Sequence, residues 1–339
     1  MAETFDDRDI DFSQYMDATE SKQRVKSAAI YVQALIDRAN DPHPVIRHHY
    51  MPWAKTAGIL QFRPGEVTVW GGENGSGKSL ITGQVALSLC AQDTRVCIAS
   101  FEMKPIKTLE RMGRQWTHFS LNDREIMCDP SERRALFERY DDFKHWTDGK
   151  LWLYDQQGTV HWRQVCAVAR YAAQELGIKH FFVDNLAKCV AGEDDYNGQK
   201  AFVDALTAIA RDEDIHVHLV HHLKKPNSPN SKPEKSDFKG TGAITDQPDN
   251  TIAVWRNKVK ERQSIRSADA ADTVLIVQKQ RNGEGWEGEI ALWFLPKSQQ
   301  FVSGANEEPM EFINPPTVAP AHARAFGERP LTLADRRGA

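Results

Sequence analysis

The sequence is short of several things, and each shortage narrows the field. Of 339 residues only five are cysteines (Cys90, Cys97, Cys128, Cys166 and Cys189), and no two stand in C-x-x-C spacing. Reduced, buried thiols are therefore the expected state, four of them within apolar or helical runs. No apolar run approaches the ~18 residues that a membrane crossing needs, so no membrane partner is expected. The first residues are acidic and polar, unlike a secretory signal, which predicts a cytoplasmic protein. An excess of one charge is also missing. Against 47 Asp and Glu stand 43 Lys and Arg, a net charge of −4, so no global basic field announces nucleic acid. A ring or cleft can still concentrate a few lysines locally. No internal repeat is visible, and hydrophobic residues make up 40%, compatible with a proper core.

What is present is organised around Gly71-Gly72-Glu73-Asn74-Gly75-Ser76-Gly77-Lys78-Ser79. Gly72 to Ser79 fits G-x-x-x-x-G-K-[ST], the phosphate-binding loop. Small residues let backbone N–H groups approach phosphate oxygens. Lys78 would reach the β- and γ-phosphates of ATP, and the Ser79 hydroxyl would ligate Mg²⁺. Glu66 to Trp70 reads as the strand entering the loop and Leu80 to Leu89 as the helix leaving it, with its positive end under the phosphates.

Residues 1–20 are acidic and lack a period, so disorder is expected there. Residues 21–52 hold an amphipathic helix, Ser21 to Arg38, and a Pro- and His-rich linker. The helix must cover its apolar stripe either on its own domain or on a neighbouring subunit. Residues 53–301 form the main domain, in which strands and helices alternate, the pattern of a mostly parallel α/β sheet flanked by helices. Strands are expected at Arg95 to Ser100, Leu151 to Tyr154, Lys179 to Asp184, Ile215 to His222, Thr251 to Trp255, Thr273 to Lys279 and Glu289 to Phe294. Helices are expected at Pro105 to Phe119, Ser131 to Trp146, Val160 to Leu176 and Gln199 to Glu213, and a loop at Lys224 to Lys239. Residues 302–339 are Pro- and Ala-rich, and a disordered tail is expected.

Three further groups bear on chemistry. Phe181-Phe182-Val183-Asp184 is an apolar strand ending in an acid, the Walker B form, and Asp184 would serve Mg²⁺. Glu102 follows another strand end, where sites lie in open parallel sheets. It could polarise an attacking water, or be a helix-capping or surface acid. In Ile215 to Leu223 the period of two puts His216, His218 and His222 on one face and His221 opposite. No Cys or carboxylate cluster accompanies them, so core or rim histidines are favoured over a metal site. His222, at the strand's carboxyl end, could instead sense a γ-phosphate.

These residues carry a resemblance. Phe101-Glu102-Met103 looks like the S-[LF]-E-M element of the DnaB-type replicative helicases. Val220 to Pro226 (VHHLKKP) resembles the sensor strand of phage-type ring helicases. Lys239 to Thr251 (KGTGAITDQPDNT) is similar to their DNA-binding segment, Arg256-Asn257 to the basic residue closing it, and Lys279 to Gly283 (KQRNG) to their arginine-finger element. The resemblance covers roughly Gly65 to Phe301 and implies a RecA-like P-loop NTPase core. It implies an ATP- and Mg²⁺-dependent DNA helicase, a homo-oligomeric ring of six subunits moving 5′ to 3′ on single-stranded DNA, in a bacterial or phage-infected cytoplasm. Glu102 would be the general base and His222 the γ-phosphate sensor. Arg281 with Lys279 would reach the γ-phosphate of the next subunit, and Arg256 would face that interface. Lys239, Thr241 and Gly242 would contact DNA in the channel, assisted by Lys224, Lys225, Lys232 and Lys235. Residues 21–38 would dock on a neighbour.

The sequence departs from that pattern in Asp246, Gln247 and Pro248, and it has no primase domain and no long N-terminal helical domain. Contacts to a primase or other replication proteins are correspondingly open. Two rivals keep the same phosphate loop: a RecA/Rad51-type recombinase that forms filaments, and a non-motor ATP-binding accessory or loading protein.

Overall fold

The computed structural model describes residues 3–5, 27–40, 48–192, 194–224, 231–262, 269–283 and 285–313. Its centre is one ten-stranded sheet. In chain order its strands are β1 (Glu3–Phe5), β4 (Val67–Gly72), β5 (Val96–Ser100), β6 (Leu151–Tyr154), β7 (His180–Asp184), β8 (His216–His222), β9 (Asn250–Arg256), β10 (Thr273–Gln280), β11 (Gly288–Leu295) and β12 (Gln300–Val302). Across the sheet they stand in the order β1-β6-β5-β7-β8-β4-β9-β10-β11-β12. A separate two-stranded ribbon pairs β2 (His49–Tyr50) with β3 (Gln61–Phe62). From β1 to β9 all neighbours run parallel; β10, β11 and β12 add an antiparallel edge.

Parallel strands need crossovers, and the helices supply them on both faces. On one face the helices Lys78–Ala91, Pro105–Thr117 and Pro130–Thr147 cover a core containing Trp70, Ile98, Phe182 and Val220. On the other, Trp162–Glu175 and Tyr196–Asp212 cover Val69, Ala99, Phe181 and Leu219. Neighbouring residues of one strand thus belong to different cores, as the period of two requires. Helix starts follow local chemistry. Pro105 opens one helix at its first position, and Asp129 caps Pro130–Thr147 by accepting from the Ser131 and Glu132 amides.

The expected strands and helices of the main domain are all present, with ends shifted by a few residues. Four differences matter. Glu3–Phe5, within the stretch expected to lack structure, pairs in parallel with β6. The core begins before residue 53, because Met51 is fully buried and Tyr50 shares two hydrogen bonds with Gln92. Residues 303–313, expected to begin the tail, return to the core: Phe312 is buried, and Met310 exchanges backbone bonds with the Gln300 side chain. Short helices Arg124–Cys128, Ala243–Asp246 and Lys258–Arg262 are not legible as periods. Most of residues 1–20, and residues 314–339, lie outside the described residues.

The helix Ala28–Asn40 stands apart. Ile30, Tyr31, Val32, Leu35 and Ile36 are between 47% and 64% exposed, so its apolar stripe has no cover among the described residues. No described helix is long and apolar enough to cross a membrane.

His216 and His218 are core residues, joined by His180 and His49 from other elements. The ring contacts run Trp70 Nε1 to His218 Nδ1 at 3.3 Å, His218 Nε2 to His180 Nδ1 at 3.1 Å, and His180 Nε2 to His49 Nδ1 at 2.9 Å. A neutral imidazole has one donor and one acceptor, so the indole donor at one end sets every tautomer in turn. His216 donates from Nδ1 to the Arg63 carbonyl and accepts at Nε2 from Thr68. These rings are thus tied to one another, to Trp70, to Thr68 and to the Arg63 carbonyl, and the described residues hold no cluster of three or more His, Cys, Asp or Glu arranged for a metal ion.

Burial pushes the imidazoles down, His49 to about 4, His216 to about 3, and His180 and His218 well below the usual range. The unfolded chain takes up protons below about pH 6.5, while the folded one does not. The ladder's contribution is therefore complete above that pH and is lost as pH falls toward 4. Buried Glu66 and Asp184, pushed up by burial, act in the opposite sense. Urea midpoints at about pH 7.5 and about pH 5 should show lower stability in the acid. The drop should shrink in His49→Gln, which can still accept from His180 but does not titrate. An equal drop in both proteins would remove the ladder as the cause.

Candidate functional site

Four strands deliver their carboxyl ends to one place. β4 leads into the phosphate loop, β5 is followed by Glu102, β7 ends in Asp184, and β8 ends in His222. The sheet register aligns Gly72 with His222 and Ser100 with Asp184. This is the crevice at which open parallel sheets bind ligands.

The loop's glycines are required by space. A Cβ on Gly72 would collide with Ser76 Oγ and the Lys78 side chain. Gly75 and Gly77 have φ of 75° and 93°, which favours glycine. Lys78 opens its helix, and its ammonium lies against the Gly72 and Glu73 carbonyls at 2.8 and 2.9 Å, with His222 Nδ1 at 3.5 Å. Burial pushes the Lys78 pKa down, against the pull of Asp184, Glu102 and Glu73. Ser79 Oγ donates to Asp184 Oδ2 at 2.8 Å. Burial raises the Asp184 carboxyl, and the Ser79 bond partly offsets this. Ser76 Oγ is buried and has no partner among the described residues. This donor set suits a magnesium triphosphate: a cradle no Cβ fits, a buried ammonium, an orphaned hydroxyl, and a Ser–Asp pair of hard oxygen donors. Asn74, exposed between them, completes the loop.

Glu102, Asn185 and His222 form a second cluster. Asn185 Nδ2 donates to Glu102 Oε1 at 2.6 Å and lies 2.8 Å from His222 Nε2. His222 Nε2 is 3.6 Å from the same carboxylate oxygen. The bond to His222, with Asn185 helping, holds the Glu102 carboxyl below its usual range despite partial burial. Sequence reasoning misses Asn185; its one signal is its place directly after the Walker B acid.

Other expected residues lie elsewhere. Arg256 stays beside its own loop: it donates to the Gly75 carbonyl at 2.8 Å and pairs with Glu261. Lys258 pairs with Glu73 of the loop at 2.6 Å. A cavity of about 620 Å³ opens next to them, lined by Ser76, Gly77, Arg256, Thr273, Trp293 and Phe301 among others. Lys279 and Arg281 do not join Lys78. The Arg281 amide bonds the Asp249 carbonyl, and Asp249 bonds Val67 at the opposite end of β4. From Val67 to Gly72 the strand covers roughly 17 Å at about 3.3 Å per residue, beyond the reach of Arg281.

Lys239 donates its amide to the His222 carbonyl, and Thr241 donates its own to Gln199 Oε1. Gly242 is exposed at the start of the helix Ala243–Asp246. Lys224 is exposed and bonds the Ser236 carbonyl. Lys232 pairs with Glu289 and Lys235 with Asp246. Such exposed pairs are worth about 0–1 kcal/mol, so both lysines can exchange partners. Lys225 lies outside the described residues.

Comparison with known proteins agrees with this arrangement. Residues 55–303 match the family described as DnaB-like helicase C terminal domain. Among solved structures, the chain is similar to one described as an ATPase domain, with TM-score 0.66 and 14% identity over 83% of this chain and 99% of that one. It is also similar to a DnaB-like replicative helicase solved for its interactions with primase, with TM-score 0.65 and 15% identity over 84% and 68% of the two chains. At such identities the structures establish the RecA-like fold of helicase ATPase domains, and the family match spans the stretch from phosphate loop to Arg281. The chain belongs to the DnaB-like helicase C-terminal domain family.

Proposed function

We propose that this chain is the motor subunit of a ring-forming, ATP-driven DNA helicase that moves on single-stranded DNA. One observation carries the reading: Lys78, Ser79, Glu102, Asp184 and His222 converge, while Arg281 is held at the far end of β4. A hydrolytic site of this family's kind then needs an arginine from a second copy. The loop amides and Lys78 would bind the phosphates, and Ser79 and Asp184 would hold Mg²⁺, which would neutralise charge on the phosphate oxygens. Glu102 accepts a proton from the attacking water at its carboxylate. Asn185 orients that carboxylate and ties it to His222, which hydrogen-bonds the γ-phosphate. The cavity beside Arg256 and Trp293 has the size for the base and ribose. Lys224, Lys239, Thr241 and Gly242 contact the DNA backbone. A ring of six, and a primase or other replication protein as partner, are the family's pattern applied to this chain.

The uncovered stripe of Ala28–Asn40 supports assembly. An apolar groove of about 540 Å³ between the helices Pro105–Thr117 and Pro130–Thr147, lined by Ile106, Leu109, Leu121 and Phe143, offers a neighbour's helix a seat. In sedimentation the chain without residues 1–40 should run as a monomer where the whole chain runs as an oligomer; an unchanged oligomer would separate this helix from assembly.

Arg281→Ala should lower ATPase by about 10³-fold or more while nucleotide binding stays near normal. Mixed with Lys78→Ala, it should regain part of the activity in shared rings; no regain under subunit exchange would refute a shared site. Asn185→Ala should lower kcat roughly 10- to 100-fold, the loss of a charged hydrogen bond, with little change in KM. A KM effect alone would make Asn185 a binding residue. ATP-dependent strand separation on forked DNA tests the whole reading, and ATP turnover without it would favour a non-motor protein.

A further inference from the structure

The phosphate loop carries an acid. From Gly72 to Ser79, a stretch suited to a polyanion, Glu73 is the one carboxylate. Its carbonyl lies 2.9 Å from the Lys78 ammonium, the group that reaches β- and γ-phosphates. His222 Nδ1 lies 3.5 Å from the same ammonium. Burial lowers the Lys78 pKa, and the Glu73 charge opposes this together with Asp184 and Glu102, so Glu73 acts electrostatically on the phosphate end of the site. A bare carboxylate there would repel a bound triphosphate.

Lys258 meets that carboxylate. Its Nζ is 2.6 Å from Glu73 Oε2, the two side chains are 33% and 27% exposed, and neither makes another ion pair among the described residues. Salt screens a pair partly withdrawn from water less than an exposed one. A fixed piece of chain presents the lysine. β9 runs beside β4 until Val254 is level with Gly72, and the chain then enters the short helix Lys258–Arg262. Asn257 anchors the start of that helix. Its amide donates to the Asp272 carbonyl, its Nδ2 to the Ala271 carbonyl, and its Oδ1 accepts from the Lys260 amide. Lys260 is buried and holds Asp272 Oδ1 at 2.8 Å, just before β10. One lysine of the helix thus ties it to the sheet edge, and the other turns to the loop.

We propose that Lys258 is a positioning residue for nucleotide binding: it neutralises Glu73 and keeps that carboxylate turned to the helix Lys258–Arg262, so that the loop accepts a γ-phosphate. The inference rests on the reading of the loop as an ATP site. It is a statement about selectivity. ATP carries its extra charge at the end that Lys78 and His222 mark, so an unpaired Glu73 penalises ATP more than ADP.

Titration calorimetry of the full chain with Mg²⁺ and either ADP or a non-hydrolysable ATP analogue tests this. Lys258→Met should weaken binding of the analogue about tenfold and of ADP about threefold or less. Adding Glu73→Gln to Lys258→Met should return the analogue to within about twofold of wild type, a recovery that a packing role for Lys258 does not give. Equal losses for the two nucleotides, or no recovery in the double variant, would overturn the proposal. If Lys258→Met does not fold, Glu73→Gln alone decides: with Lys258 released, the analogue should bind about threefold more tightly, and weaker binding would overturn the proposal. A wild-type chain that binds neither nucleotide would defeat the ATP reading and this inference together. Binding of both without strand separation would defeat the motor reading alone and leave the pair to the same titrations.

Discussion

The pairing of β4 with β8 on one side and β9 on the other is the constraint on which the rest depends. β8 sets His222 level with Gly72, and β9 brings Asn250 level with Thr68. A slip of one residue in either ladder would reverse which face each side chain meets. Polar groups buried at the amino end of β4 oppose such a slip. Glu66 accepts from Asn250 and Asn282, Thr68 binds both Asn250 and His216, and Val67 binds Asp249. Buried polar groups left unpaired are costly, so one register satisfies them and its neighbours do not.

The two ends of that strand divide the labour. At the carboxyl end, glycines and short loops leave backbone amides and a buried lysine facing outward. At the amino end, a packed network of amides, carboxylates and imidazoles holds the ribbon β2–β3 and the antiparallel edge. Phe238 packs against the first end: its ring occupies the space a Cβ on Gly71 would take, beside Leu223. The glycine before the phosphate motif is thus needed by packing, not by phosphate.

Much of this is legible in the sequence, for reasons that differ by residue. Lys78, Ser79, Asp184, Glu102 and His222 can be found because chemistry fixes their type and strand ends fix their place. Asn185 cannot, since its value lies in reaching Glu102 and His222 from elsewhere in the chain. His216 and His218 show their common face, but His49 and His180 come from distant elements, and only the folded chain brings their rings together. Resemblance reads Lys279 as a phosphate ligand, and within one chain its ammonium meets the carbonyls of Thr245, Asp246 and Pro248. It assigns Arg256 to an interface, and within one chain that side chain reaches the Gly75 carbonyl. Glu3–Phe5 and Gln300–Val302 are too short to show a period, and Phe312 follows a polar stretch that gives no hint of burial.

The exposed helix sets a length scale. Eight peptide steps separate Asn40 from His48, just before the ribbon, and at roughly 3.5 Å each they span at most about 28 Å. That is near the width of a small domain. The near end of the helix is therefore bound to stay within that distance of the ribbon, and any surface that covers its apolar stripe has to come as close.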